Sequence, residues 1–160
     1  MIDPRGIRFS AALTTVVLAL VVVLAPGAIA ATLIALQTIV FACGAILGPG
    51  AQPYGFLFRK LVRPRLAAPK HLEDPMPPQF AQAVGLFFAL GASISMLLAW
   101  TVGVWVFAGL AMLAAALNAI FGFCLGCEMY VLIRRVIPVN AMPEPQTEPL
   151  LDLTDKSSRV

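Results

Sequence analysis

The chain has 160 residues, of which 60% are hydrophobic and 12% charged, with a formal net charge of +3. Soluble domains are about 45–50% apolar and about 25% charged, so this chain is displaced toward membrane proteins on both axes. No Asp, Glu, Lys or Arg lies between Arg8 and Arg59, or between Asp74 and Glu128. A soluble fold of this size has too little polar surface to cover two such blocks. This excludes a water-soluble enzyme, a nucleic-acid-binding domain and a wholly disordered chain.

A helix crossing about 30 Å of hydrocarbon needs about 20 apolar residues. The turn pair Pro26-Gly27 divides the first block into spans 9–25 and 28–47. The second block breaks at Thr101-Val102-Gly103 between Trp100 and Trp105, whose indoles suit the lipid–water boundary, giving spans 80–101 and 104–131. The expected fold is therefore all-α and integral to the membrane: four transmembrane helices in two hairpins, with a cytoplasmic loop at 48–79 and a disordered cytoplasmic tail at 137–160. That tail is rich in Pro, Glu, Gln, Asp and Ser and has no periodicity.

Every basic cluster of the membrane region falls on one side of this topology. Arg5 and Arg8 precede the first span; Arg59, Lys60, Arg63, Arg65 and Lys70 fill the central loop; Arg134 and Arg135 follow the last span. The positive-inside rule places both termini in the cytoplasm of a multi-pass plasma-membrane protein. Tyr54, Leu57, Phe58 and Leu61 share one helical face, and Arg59, Lys60 and Arg63 another, which predicts a short amphipathic helix on anionic headgroups. Arg5, Arg8 and Ala28-Ile29-Ala30 also have the pattern of a signal peptide, but a second span follows almost at once.

An internal repeat argues for retention of the first span. Asp3-Pro4 precedes Phe9 as Asp74-Pro75 precedes Phe80; Ala35-Leu36-Gln37-Thr38-Ile39 with Cys43 matches Ala116-Leu117-Asn118-Ala119-Ile120 with Cys124. A Tyr, a basic pair and a Pro follow each. Two spans per copy make the repeats parallel, related by an axis along the membrane normal. Gln37 and Asn118 then occupy matching mid-span positions, where amides join helices.

The cysteines carry the available chemistry. Cys124 and Cys127 with Glu128 are expected on one face near the C-terminal end of the last span, since about 20 residues at about 1.5 Å each separate Trp105 from residue 125. Glu128 and a helix C-terminus disfavour a thiolate there, while Arg134 and the basic loop favour one. Gly122 and Gly126 would let this span approach the second span and Cys43. Packing alone is the competing reading of all three thiols. Three Cys and the distant His71, in a polar loop, fall short of a zinc or iron–sulfur ligand set, so no metal or cofactor is expected.

The segments Asp3-Pro4-Arg5-Gly6, Pro53-Tyr54-Gly55, Glu73-Asp74-Pro75 before Phe80-Ala81-Gln82, and above all Phe123-Cys124-Leu125-Gly126-Cys127-Glu128, resemble an uncharacterised family. Its members are small, four-span, mainly actinobacterial integral membrane proteins carrying a domain of unknown function. The resemblance covers residues 2–136 and brings no established activity. It implies thioredoxin-like and rhodanese-like neighbours, and so thiol or sulfane-sulfur exchange at the CxxC. In that scheme Cys127 reacts first with the partner, Cys124 resolves the intermediate, Cys43 is a third thiol and Glu128 carries a proton. The alternatives are a homo-oligomeric transporter for a small sulfur-containing anion, or a structural subunit with packing cysteines.

Overall fold

The computed structural model describes residues 2–67 and 72–136. The whole of the predicted tail at 137–160, and His71, lie outside them. Four helices are long and apolar enough to cross a membrane: α1 (Pro4–Leu24), α2 (Ala28–Ile46), α4 (Met76–Leu97) and α5 (Thr101–Phe121). Between α2 and α4 lies α3 (Pro53–Leu57), continued by a π-helical turn at Phe58–Val62 and a 3-10 turn at Arg63–Arg65. A sixth helix, α6 (Leu125–Val136), follows α5.

Local chemistry explains most boundaries. The Asp3 carboxylate accepts the Arg5 N–H at 3.0 Å, with Pro4 opening α1. Asp74 repeats the arrangement, accepting the Met76 N–H at 2.9 Å before α4. The turns Ala25–Gly27 and Leu98–Trp100 close the two hairpins at one end of the bundle. The N-terminus, the α2–α4 connection and α6 gather at the other, which carries the described Arg and Lys residues and is called the basic end.

The spans form a ring in the order α1, α2, α4, α5, with α5 closing back onto α1. Large apolar side chains point outward, as at Val23, Ile29, Ile39 and Leu97, while small ones lie inside, as at Ala30, Ala89, Ala92 and Ala108. This suits lipid, where helices associate through close packing rather than hydrophobic exclusion. Gly91 faces the Phe107 ring so closely that a Cβ would lie 2.7 Å from it. The hairpin-end half of the ring is filled by Leu18, Val21, Ile34, Ala89, Ala92, Val104 and Ala108.

Gln37 is fully buried, donating to Thr14 Oγ1 at 3.3 Å and accepting from the Tyr54 hydroxyl at 2.9 Å. It therefore joins α1, α2 and α3. Burial raises the Tyr54 pKa above its ordinary value, keeping the phenol a donor. Gln37→Leu should cost about 1 kcal/mol, because it leaves both hydroxyls without this partner. Denaturant unfolding of the detergent-solubilised protein, compared with Tyr54→Phe, measures that loss.

Three expectations require correction. The predicted single span 104–131 is two helices: Gly122, at φ 69°, takes the left-handed C-cap conformation and ends α5 before Cys124. Asn118 lies in the last turn of α5, not at mid-span beside an equivalent of Gln37. The amphipathic segment does not keep the predicted face, because Phe58 is buried against Phe9 while Leu57 and Leu61 are exposed. The π turn changes the angular spacing of the side chains just where that face was expected to continue.

Candidate functional site: a cysteine pair beside an apolar cavity

The break at Gly122 reverses the electrostatics expected of the cysteines. Cys124 immediately precedes α6, and the pair lies at a helix N-terminus instead of a C-terminus. The Cys127 N–H donates to Cys124 Sγ at 3.3 Å, and the Glu128 N–H donates to the Cys124 carbonyl at 3.0 Å. Cys124 thus caps α6 as a Ser or Asp would, with sulfur as the acceptor. The α-carbons of Cys124 and Cys127 stand 5.1 Å apart, and the two sulfurs are paired as a disulfide. Both cysteines are partly exposed and Glu128 is exposed. The Cys124 sulfur lies in the partial positive charge of the first turn of α6.

Two supports hold the segment in place. The Arg8 guanidinium donates to the carbonyls of Ala119 and Ile120 at 3.2 and 3.1 Å, satisfying acceptors that the end of α5 leaves open. In the sequence Arg8 reads as a topology charge or a signal-peptide cation and not as a cap, because a contact 111 residues along the chain has no local signal. On the other side, α6 lies against α4. A Cβ on Gly126 would sit 2.7 Å from both the Cα and Cβ of Ala81, and the Phe80 and Tyr130 rings meet at 5.7 Å. Arg134 stacks over the far side of this contact, 5.5 Å from the Tyr130 centroid.

Cys43 has a different setting. It lies in the last turn of α2, which packs on α1 and α4, whereas α6 packs on α4. Gly122 and Gly126 do not bring the cysteine pair onto α2: one caps α5 and the other meets α4. The thiol of Cys43 is free and partly buried. Among the described residues, no group of three or more His, Cys, Asp or Glu is placed to hold a metal ion.

A cavity of about 320 Å³ opens beside Cys124. Its deep wall is apolar, formed by Ala11, Phe41, Phe88 and Ala111, and Thr14, Gln82 and Asn118 add polar atoms. A second cavity, about 330 Å³, lies at the basic end among Asp3, Gln52, Arg59 and Arg63. Ile7, Pro78 and Gln82 line both. Gln82 is anchored there by the Gln52 side chain, which donates to its Oε1 at 3.2 Å. Neither cavity was legible in the sequence, since each collects side chains from elements far apart in the chain.

No curated protein and no solved structure matches the chain. A family model does match residues 2–135, so the protein belongs to the family described as Domain of unknown function (DUF4395).

Proposed function

We propose that this membrane protein exchanges thiol equivalents between its Cys124–Cys127 pair and a cytosolic protein of thioredoxin-like or rhodanese-like type. The observation that carries the reading is the position of Cys124 Sγ as the cap of α6, accepting the Cys127 N–H. The basic end is taken as cytoplasmic from the charge asymmetry of the connections. There the pair meets a compartment of reduced thiols.

The chemistry is ordinary thiol–disulfide exchange. A partner thiolate attacks Cys127 Sγ; a new S–S bond forms, the Cys124–Cys127 bond breaks, and Cys124 leaves as a thiolate. Attack at Cys127 is the favoured direction because the better-stabilised thiolate is the better leaving group. The partner's second thiol then attacks its own sulfur in the mixed disulfide and releases Cys127. Both protein cysteines end reduced and the partner ends oxidised. Glu128, exposed in the first turn of α6, is the nearby group available to carry the proton to Cys127. Cys43 is not required.

The parallel duplication remains part of this reading. Two pairs of contacts support it: the Asp3 and Asp74 caps, and the ring pairings of α1 with α5 and α2 with α4. Ile2 and Glu73, which hold the same place before each Asp-Pro, bond to one another through both backbone N–H groups at 2.9 Å. A two-fold axis between them accounts for all of these. Transport along that axis has less support, because the hairpin-end half of the ring is filled by buried side chains.

An acid-quenched maleimide gel shift on growing cells, with and without a membrane-permeant reductant, tests the redox pair. A reductant-dependent gain of two labels, lost on replacing either Cys124 or Cys127, is the expected outcome. Thiols that label only after detergent denaturation would leave a packing role instead.

A further inference from the structure

We propose that the cavity beside Cys124 binds the ring of a membrane quinone, which accepts the electrons that the cysteine pair takes from its partner. The inference rests on the thiol-exchange reading above and extends it to a second substrate. A pair that oxidises a cytosolic dithiol is left reduced and needs an acceptor to turn over again. The walls of the cavity define what that acceptor must be.

Its volume of about 320 Å³ lies at the small end of ligand sites, suited to a one- or two-ring headgroup and too small for a protein segment with its own fold. The lining is mainly aliphatic and aromatic, so the ligand is apolar. The lining residues Leu110 on α5 and Leu125 and Met129 on α6 are 50%, 41% and 42% exposed, so the cavity wall reaches the outer apolar surface of the bundle beside α5 and α6. A ligand enters from the bilayer and leaves its tail there. At the inner edge are the carboxamides of Asn118 and Gln82; Gln82 spends its oxygen on Gln52 and keeps its N–H groups for an acceptor. A ring carbonyl is such an acceptor, and a lipid acyl chain has none. Cys124, and not Cys127, forms part of the wall. The two sulfurs therefore divide the work, Cys127 toward the partner and Cys124 toward the membrane.

The step balances. The Cys124 thiolate adds to a ring carbon of the quinone, forming a C–S bond, and a carbonyl oxygen takes up a proton from water. The Cys127 sulfur then attacks Cys124 Sγ; the S–S bond forms, the C–S bond breaks and its electron pair returns to the ring. The second oxygen takes a proton, and the quinol departs into the lipid. Two electrons and two protons pass from the dithiol to the quinone, and the disulfide is restored.

The test uses the full chain, reduced, freed of reductant and reconstituted anaerobically in lipid nanodiscs. Decylubiquinone is added, with quinol formation followed by absorbance and the pair followed by maleimide labelling. Stoichiometric quinol with loss of two labels is expected, and Ala115→Phe, which places a ring inside the cavity, should slow it about a hundredfold by displacing the quinone from reacting distance. Because that variant can also perturb folding, a photoreactive quinone is cross-linked to the unaltered protein and the labelled peptides are sequenced. Labels on the residues that line the cavity, such as Ala11, Gln82, Phe88, Ala115 or Met129, agree with the site; labels confined to residues outside its wall overturn it. A parallel arm offers reduced thioredoxin to the oxidised protein. Exchange with thioredoxin but no oxidation by quinone overturns this inference and leaves the proposed function standing. Failure of both arms overturns both, and quinone oxidation as fast in a correctly folded Ala115→Phe protein removes the cavity from the mechanism.

Discussion

Cys124→Ser should accumulate a mixed disulfide between Cys127 and the cytosolic partner, whereas Cys127→Ser should yield none. The asymmetry follows from the placement of the two sulfurs. Cys124 caps α6, and its Sγ accepts the Cys127 N–H at 3.3 Å. When Cys124 is gone, Cys127 can still attack a partner disulfide, but the resolving thiol is missing and the adduct persists. When Cys127 is gone, the partner-facing sulfur is absent, and the remaining thiol lines the cavity. Serine retains an oxygen acceptor at the cap of α6, so Cys124→Ser should leave the helix and membrane insertion intact. Non-reducing electrophoresis after acid quench, with the captured partner identified by mass spectrometry, reads the result. Equal trapping from both variants, or trapping from Cys127→Ser alone, would reverse the assignment of roles.

Gly126→Val should slow exchange about a hundredfold while all three thiols remain, since displacing a reacting group by about 1 Å has an effect of that order. A Cβ at position 126 would stand 2.7 Å from both the Cα and Cβ of Ala81. The α4 backbone cannot turn aside as a flexible side chain can, so α6 must move away and carry the cysteine pair with it. Overpacking of this kind costs about 1–3 kcal/mol, which the bundle should survive because the main core lies in the other half of the ring. Ala81→Gly should restore only part of the rate, because the Ala81 Cα remains in the way. Stopped-flow exchange with thioredoxin, beside denaturant unfolding, separates lost geometry from lost fold. A Gly126→Val protein with normal exchange would show that the seating of α6 on Ala81 does not position the site.

Much of the fold was legible because its signals are local. Membrane spans follow from apolar length, whereas the starts of α1 and α4, expected at 9 and 80, fall earlier, at Pro4 and Met76, where Asp3 and Asp74 accept the first free N–H groups. The first pair of spans was expected at 9–25 and 28–47, and the helices run Pro4–Leu24 and Ala28–Ile46. The difference at the start of α1 is a polar turn that hydropathy does not count but the Asp3 cap does. Helix α5 ends ten residues before the predicted limit of 131, at Phe121. Hydropathy stays high through Phe123 and Leu125, and a glycine in an apolar run reads equally well as a packing residue or a left-handed cap. Gly122 is the cap. That one torsional choice moved the CxxC from the end of one helix to the start of another and reversed its expected electrostatics.

Composition and hydropathy alone were enough for the class of the protein, its four apolar helices and the gathering of cations in the connections on one side of them. Those properties depend on hydrophobic length, charge and residue identity, which need no knowledge of neighbours. Tertiary structure decided which helices touch, and with that the fate of each cysteine. The ring places Cys43 on α2, against α1 and α4, and seats Cys124 and Cys127 on α4 through Gly126 and Ala81. It also creates the cavity, whose wall runs from Ala11 on α1 to Met129 on α6. The physical reason is that lipid rewards every outward apolar face alike, so hydropathy carries no information about partners; only the fit of small residues and buried hydrogen bonds selects the ring that forms.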